Sequence, residues 1–202
     1  MGKRLIIASG NRGKIREIKD IYKDLNIEIF GMNELLEKEV DIVEDGESLE
    51  DNAKIKALFL KSIFPEDIIL SDDTGLFVDA LPLELGVRTA RFAGDNCSEK
   101  DNRDKLLKEL LGKDNRSATF RTVIAIYSNG EIYLSKGEVL GRIAEEEIGE
   151  NGFGYDKLFI ANESGKTFAS MDLSEKDQIS HRKRALENAK KILKELIWEY
   201  VL

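Results

Sequence analysis

Cysteine is almost missing from this 202-residue chain, where Cys97 stands alone. No internal disulfide can form, so a packed core must hold the fold, and a reducing compartment or indifference to redox state is expected. Cys97 also lies in a polar segment with no evident base, which argues against thiol chemistry. Histidine occurs once, as His181. A histidine-rich metal centre is therefore excluded, and without a C-x-x-C pair so is the usual zinc site. A Ser-His-Asp triad could draw only on His181, and no G-x-S-x-G elbow accompanies it. Long apolar runs are missing too: the one in residues 1–14 is far too short for a signal peptide or anchor, and none elsewhere approaches a membrane span. A cytoplasmic protein with no membrane partner is expected. There are no repeats, linkers or low-complexity segments, and only two prolines.

What the chain does have is a normal apolar complement, 42% of residues, beside 35% charged ones. That excludes a disordered tail protein. The length fits a single domain, 1–202, with room for two lobes and a substantial core. Acidic residues outnumber basic ones 39 to 31, for a net charge of -8. This balance argues against a surface that coats nucleic acid, while leaving room for a local basic pocket.

The most informative stretch is Ile68–Val78. A short apolar run, β-branched at its start, reads as a buried strand. It stops at Ser71-Asp72-Asp73-Thr74-Gly75 before apolar residues resume at Leu76, Phe77 and Val78. Adjacent carboxylates repel, so a positive neighbour is expected, and a divalent cation is a good candidate. Asp, Thr and Gly are equally turn residues, so a solvated turn also fits.

Around this stretch the pattern alternates. Residues 4–8 read as a strand, 9–14 as a loop, and a helix follows with Ile15, Ile18, Ile21, Tyr22 and Leu25 on one face. Strand, glycine-containing loop and helix make a phosphate-binding design, although the Walker A spacing is absent. A second strand is expected over 27–30, then an acidic stretch over 37–47. Ser48, with Asp51 three residues on, signals the start of a helix. On that helix Leu49, Ala53, Ala57 and Leu60 form the apolar stripe, which leaves Lys54 and Lys56 at its flanks as an ordinary solvated face. Ser98 with Asp101 marks another helix start; Leu106, Leu107, Leu110 and Leu111 should pack inward, and Gly112 suits the C-terminal end. Residues 118–128 and 131–140 flank Asn129-Gly130, a type I′ hairpin signal, so the sheet is mixed. A strand over 157–161 and a last helix capped by Ser180, burying Ala185, Leu186, Ala189, Leu193 and Leu196, complete an α/β chain.

Asn11, Lys14, Glu44, Lys56, Asp72 and Asp73, with Phe153, Tyr155, Asp156, Lys176, His181 and Arg182, are the parts of a site for a magnesium nucleotide. Carboxylates hold the metal, lysines and loop N–H groups neutralise phosphates, and an aromatic ring stacks on the base.

These segments resemble a known family, the inosine/xanthosine triphosphate pyrophosphatases (Ham1-like or RdgB-like hydrolases of deaminated purine nucleotides). The resemblance rests on Ser9-Gly10-Asn11-Arg12-Gly13-Lys14, Glu44-Asp45-Gly46 with Ser48, Asn52-Ala53 with Lys56-Ala57, and Ser71-Asp72-Asp73-Thr74-Gly75-Leu76. It continues through Ala90-Arg91-Phe92-Ala93-Gly94, Gly152-Phe153-Gly154-Tyr155-Asp156, and Lys176 with Ile179-Ser180-His181-Arg182. Seven segments stand in family order from end to end of the chain. Departures are small: Ser9 for threonine, Phe92 for tyrosine, and Lys157 where proline often follows the aspartate.

The resemblance implies a two-lobed α/β fold around a long mixed sheet flanked by helices, with the active-site cleft between the lobes, and a homodimer. It implies Mg²⁺-dependent hydrolysis of ITP, dITP and XTP to the monophosphate and pyrophosphate. Carried over by position, Ser9, Gly10, Asn11, Arg12, Gly13 and Lys14 would hold the triphosphate, and Lys56 would touch it. Glu44 and Asp73 would bind the metal, Asp73 would be the proton acceptor, and Thr74 would lie at the substrate. Phe153 would stack on the base within the segment that includes Gly154 and Tyr155. Asp156, Lys176, His181 and Arg182 would contact its edge or the sugar-phosphate. The rivals are a Maf-type pyrophosphatase of modified pyrimidine nucleotides and a catalytically silent nucleotide-binding regulator.

Overall fold

The computed structural model describes residues 4–37, 40, 42–82 and 84–198. Positions 38, 39 and 41, within the expected acidic stretch, lie outside the described residues. The elements run β1 (Arg4–Ile7), α1 (Arg12–Tyr22), β2 (Glu28–Gly31), α2 (Met32–Leu35), α3 (Leu49–Ile63) and β3 (Ile68–Val78). A 3-10 turn over Gly86–Arg91 follows, then α4 (Glu99–Glu109), β4 (Ser117–Ser128), β5 (Glu131–Ile143) and β6 (Phe159–Ala161). A second 3-10 turn (Phe168–Ser170), α5 (Leu173–Ile179) and α6 (His181–Trp198) end the described chain. The strands form one six-stranded sheet in the order β2-β1-β3-β4-β5-β6. β1 pairs in parallel with β2 and β3, whereas β5 and β6 are antiparallel, so the sheet is mixed as expected.

The chain divides into two compact units. The first takes in the chain up to Asp73, Val123–Lys136 and the chain from Ala185. Its core joins Leu5, Ile7, Ile68 and Leu70 of the sheet to Ile18 and Tyr22 of α1 and the Ala185, Leu186, Ala189 and Leu193 stripe of α6. The buried Tyr22 hydroxyl donates to the Leu186 carbonyl oxygen at 3.0 Å, which fixes α1 against α6. The second unit takes in Thr74–Thr122 and Gly137–Arg184. Its core is more aromatic: Phe120, Phe159 and Phe168 pack with ring centroids 4.7–6.0 Å apart.

Four sequence expectations change. β3 does not turn at Asp72-Asp73 but continues as an 11-residue strand, with both carboxylates buried. Turn propensity loses here because each acid finds a lysine, as described below. The expected loop over 9–14 is shorter, since Arg12, Gly13 and Lys14 already form the first turn of α1, capped by Asn11. Leu111 is 84% exposed, because α4 ends before it and Gly112, at φ +73°, reverses the chain. Lys56 is 6% exposed and sits within the apolar stripe of α3 rather than at its flank. The Asn129-Gly130 hairpin, by contrast, has the positive φ values at both residues (53° and 88°) that its type requires.

Candidate active site

In the first unit, the alternation of a β-strand organises the charges. Successive side chains point to opposite faces, so Ser71 and Asp73 face one way and Asp72 the other. Ser71 Oγ donates to the Ala53 carbonyl oxygen at 2.6 Å, tying this part of β3 to α3. Asp73 Oδ1 accepts from Lys56 Nζ at 2.9 Å, and Asp73 Oδ2 from Asn52 Nδ2 at 3.3 Å, both from α3. Asp72 on the other face meets Lys14 Nζ of α1 at 2.8 Å. Two neighbouring carboxylates thus keep separate counter-ions, one per flanking helix.

Glu44 joins them. Its Oε2 lies 3.2 Å from Lys56 Nζ, so Glu44 and Asp73, 29 positions apart, converge on one ammonium. Asn52 holds the loop that carries Glu44: its Oδ1 accepts from the Gly46 N–H at 2.8 Å. A side chain at position 46 would place Cβ 2.7 Å from that oxygen, which explains the glycine. Burial pushes the Asp73 carboxyl up, and Glu44 and Asp72 add to the rise against the pull of Lys56, leaving it at about 6. Burial alone would pull Lys56 down, but Asp73, Asp72 and Glu44 raise it, so it stays an ammonium. Three carboxylates against two lysines leave a surplus of negative charge that suits a cation. Among the described residues no three His, Cys, Asp or Glu side chains are placed to hold a metal alone. The donor pair present, Glu44 and Asp73, is of the kind that Mg²⁺ takes, since that ion binds one or two carboxylates and keeps waters and phosphate oxygens.

Residues 9–14 sit at the start of α1. Ser9 Oγ accepts from the Asn11 N–H at 3.2 Å, and Asn11 Oδ1 from the Lys14 N–H at 3.1 Å. A hydroxyl turn at Ser9 followed by the Asn11 cap shapes the chain at Gly10 and leaves the positive end of α1 beside it.

In the second unit the site residues stand on turns and helix starts. Gly152 adopts φ +76°, and a Cβ there would lie 2.1 Å from Asp156 Oδ2. That oxygen accepts from the Phe153 N–H at 2.9 Å and from Lys176 Nζ of α5 at 2.6 Å. Phe153 is 46% exposed, with Lys176 Nζ 5.1 Å and the Arg182 guanidinium 5.8 Å from its ring centre. An exposed ring flanked by two cations makes a stacking platform for an aromatic, anionic ligand. The Gly154 N–H donates to Glu99 at 2.8 Å and the Gly154 carbonyl oxygen accepts from Arg103 at 2.9 Å, which pins the turn to α4. Tyr155 is buried and its hydroxyl donates to the Thr89 carbonyl oxygen at 2.8 Å, so its side chain anchors the core. His181 and Arg182, each 5% exposed, begin α6, where Ser180 Oγ accepts from the Lys183 N–H. Thr74, half-buried, lies 2.8 Å from Thr122 Oγ1, which in turn is 2.7 Å from His181 Nδ1.

Sequence reasoning passed over Asn52 and Thr122 as site residues. Asn52 had one available signal, an amide four residues before Lys56 on the same helix line as the apolar stripe. Thr122, inside a β-rich run, had none.

Acids offset by lysines beside a helix start, and an exposed ring among cations, mark an α/β protein that handles a phosphorylated, aromatic small molecule. The chain belongs to the Ham1 family, which its residues 5–192 match. It is 46% identical over 196 residues to the dITP/XTP pyrophosphatase of Caldanaerobacter subterraneus subsp. tengcongensis, covering 96% of this chain and 98% of that one. Among solved structures, the Staphylococcus aureus Ham1 protein superposes with a TM-score of 0.87 at 38% identity, covering 96% and 99% of the two chains. A HAM1 protein from Coxiella burnetii gives 0.88 at 34% identity, with the same coverage.

Proposed function

We propose that the protein hydrolyses deaminated purine nucleoside triphosphates (ITP, dITP and XTP) to the monophosphate and pyrophosphate, clearing them from the nucleotide pool. The observation that carries this reading is the meeting of Glu44 and Asp73 on Lys56 Nζ, with Lys14 held by Asp72, the preceding residue of the same strand. Full-length similarity to dITP/XTP pyrophosphatases supports it.

Water attacks the α-phosphorus while the bond to the bridging oxygen of pyrophosphate breaks, so positioning and charge neutralisation do most of the work. Asp73 takes the proton of the attacking water; a carboxyl pushed up to about 6 is basic enough yet largely ionised at neutral pH. Lys14 and Lys56 offset the charge that gathers on the departing pyrophosphate. Glu44 and Asp73 would hold Mg²⁺, which when bound polarises phosphoryl oxygens and acidifies water. The Ser9 hydroxyl turn and the Asn11 cap present the turn at Gly10, with Arg12 and Gly13, to the triphosphate.

Phe153 stacks on the base, and Lys176 and Asp156 fix the turn beneath it. His181 and Arg182 donate to the oxygen at C6, which hypoxanthine and xanthine have and adenine replaces with an amino group. A donor left facing that group costs about 1–3 kcal/mol, enough for useful discrimination. On the same reading the enzyme is a cytoplasmic homodimer, a state supported by the family resemblance alone. Among the described residues no helix is long and apolar enough to cross a membrane.

The test is pyrophosphate release by the purified protein across ITP, dITP, XTP, the four common triphosphates and modified pyrimidine nucleotides, with and without Mg²⁺. Fast Mg²⁺-dependent release from the first three is the expected result. A preference for pyrimidines would favour the Maf-type rival, and binding without turnover the silent regulator. Light scattering of the same sample reads the oligomeric state.

A further inference from the structure

Thr122 lies in β4 with its side chain fully buried, and neither the motifs nor the mechanism gives it a part. Its hydroxyl bridges two residues of the same unit that both belong to the proposed site: Thr74 Oγ1 at 2.8 Å and His181 Nδ1 at 2.7 Å. The His181 ring cannot turn freely. It stacks on Phe120 with centroids 4.7 Å apart and planes 20° from parallel, and a flip would replace Nδ1 by a carbon and break the contact to Thr122.

A hydroxyl has one proton to donate. An imidazole nitrogen, ordinarily protonated near pH 6.5, is a far stronger acceptor than an alcohol oxygen. The Thr122 proton therefore goes to Nδ1, and Thr122 Oγ1 accepts the proton of Thr74. We propose that Thr122 is a positioning residue that donates to Nδ1, locks His181 as its Nε2–H tautomer, and so makes the ring's other nitrogen a hydrogen-bond donor. The polarity of this three-residue chain then sets base choice: an Nε2–H donor matches the oxygen of a 6-oxopurine and meets the amino hydrogens of a 6-aminopurine head on. Reversing the chain would make Nε2 an acceptor and favour adenine.

This inference rests on the reading of His181 as a base-contacting residue, but its first test does not. Because the chain has a single histidine, ¹⁵N-histidine labelling of the full protein gives one imidazole to observe. Long-range ¹H–¹⁵N correlation of the unliganded protein near neutral pH should show Nε2 protonated and Nδ1 as a hydrogen-bonded acceptor. Thr122→Val, which puts a methyl group in place of the hydroxyl, should shift Nδ1 and admit the other tautomer; Thr122→Ser should restore the original spectrum. An Nδ1–H tautomer in the unaltered protein overturns the proposal, as does a Thr122→Val spectrum identical to it. In the activity arm, Thr122→Val should narrow the ITP to ATP ratio of kcat/KM by about tenfold, the value of one hydrogen bond to a buried group, with Thr122→Ser close to the unaltered protein. An unchanged ratio removes the link to base choice. A protein that hydrolyses no ITP would fail the functional reading, and the NMR arm would still decide the tautomer.

Discussion

The two units carry their candidate residues on different materials. In the first unit, Lys14, Glu44, Lys56, Asp72 and Asp73 cluster around β3, α1 and α3, and the contacts that define them are ionic. In the second unit, Phe153, Asp156, Lys176 and His181 sit on turns and helix starts, and rings and hydrogen bonds fix their shape. Charge handling tolerates approximate direction but needs the right balance of sign, so rigid strands and helices with an excess carboxylate suffice. Base reading, the role proposed for the second unit, needs donors and acceptors in fixed order, and that unit holds its polar groups with a left-handed glycine and a buried threonine.

The contrast can be broken most sharply at Asp73. Asp73→Asn should lower turnover by about 10²–10⁴-fold, the range for loss of a proton acceptor, while leaving discrimination between ITP and ATP unchanged; pyrophosphate release under saturation measures both. Near-normal turnover would remove Asp73 from the chemistry. Lys56→Met leaves Glu44 and Asp73 without their shared buried ammonium and should cost about 3–5 kcal/mol of stability. Millimolar Mg²⁺ should raise the melting temperature of that variant more than that of the unaltered protein. Equal shifts would argue against a cation site at these carboxylates.

In the second unit, the expected effects are smaller and of another kind. Gly152→Ala forces a left-handed backbone on an alanine and drives its Cβ into Asp156; the expected cost is about 1–3 kcal/mol, seen as a raised KM with kcat nearly kept. Arg182→Ala should reduce the ITP to ATP preference by about tenfold and hardly alter the Mg²⁺ dependence. The smallest effect concerns pH. Because the folded protein holds the Asp73 carboxyl above its ordinary value, the neutral form is favoured, and the cost of ionising it appears as pH rises through about 6. The stability of Asp73→Asn relative to the unaltered protein should therefore improve as pH rises from 4 to 7–8, read from melting curves across that range. In the unaltered enzyme kcat/KM should fall below pH 6, with the acid limb moving lower as Mg²⁺ is raised.

Much of this was readable before any coordinates. The amphipathic period of α6 and the Asn129-Gly130 turn signal are local, and local rules placed them. The motifs single out Glu44, Lys56 and Asp73, and the structure brings those three side chains together. What escaped was set by partners distant in sequence. Whether Asp72-Asp73 turns or stays extended depends on Lys14 and Lys56, and the burial of Lys56 depends on two acids outside its helix. α5 carries Lys176 but has no buried residue of its own, so it lacks the apolar stripe that would announce a helix. Thr122 looks like any β-strand threonine until the histidine arrives from 59 residues away.

The opposed orientation of Asp72 and Asp73 has a corollary for how such chains vary. Insertion or deletion of a single residue between Leu70 and Asp72 would exchange the two acids' outlooks at a stroke, delivering each to the wrong lysine. Lineages are then free to lengthen or trim the surface connections, but the spacing inside this strand admits no drift by odd steps, and a shift by two would leave a different pair of side chains in their place.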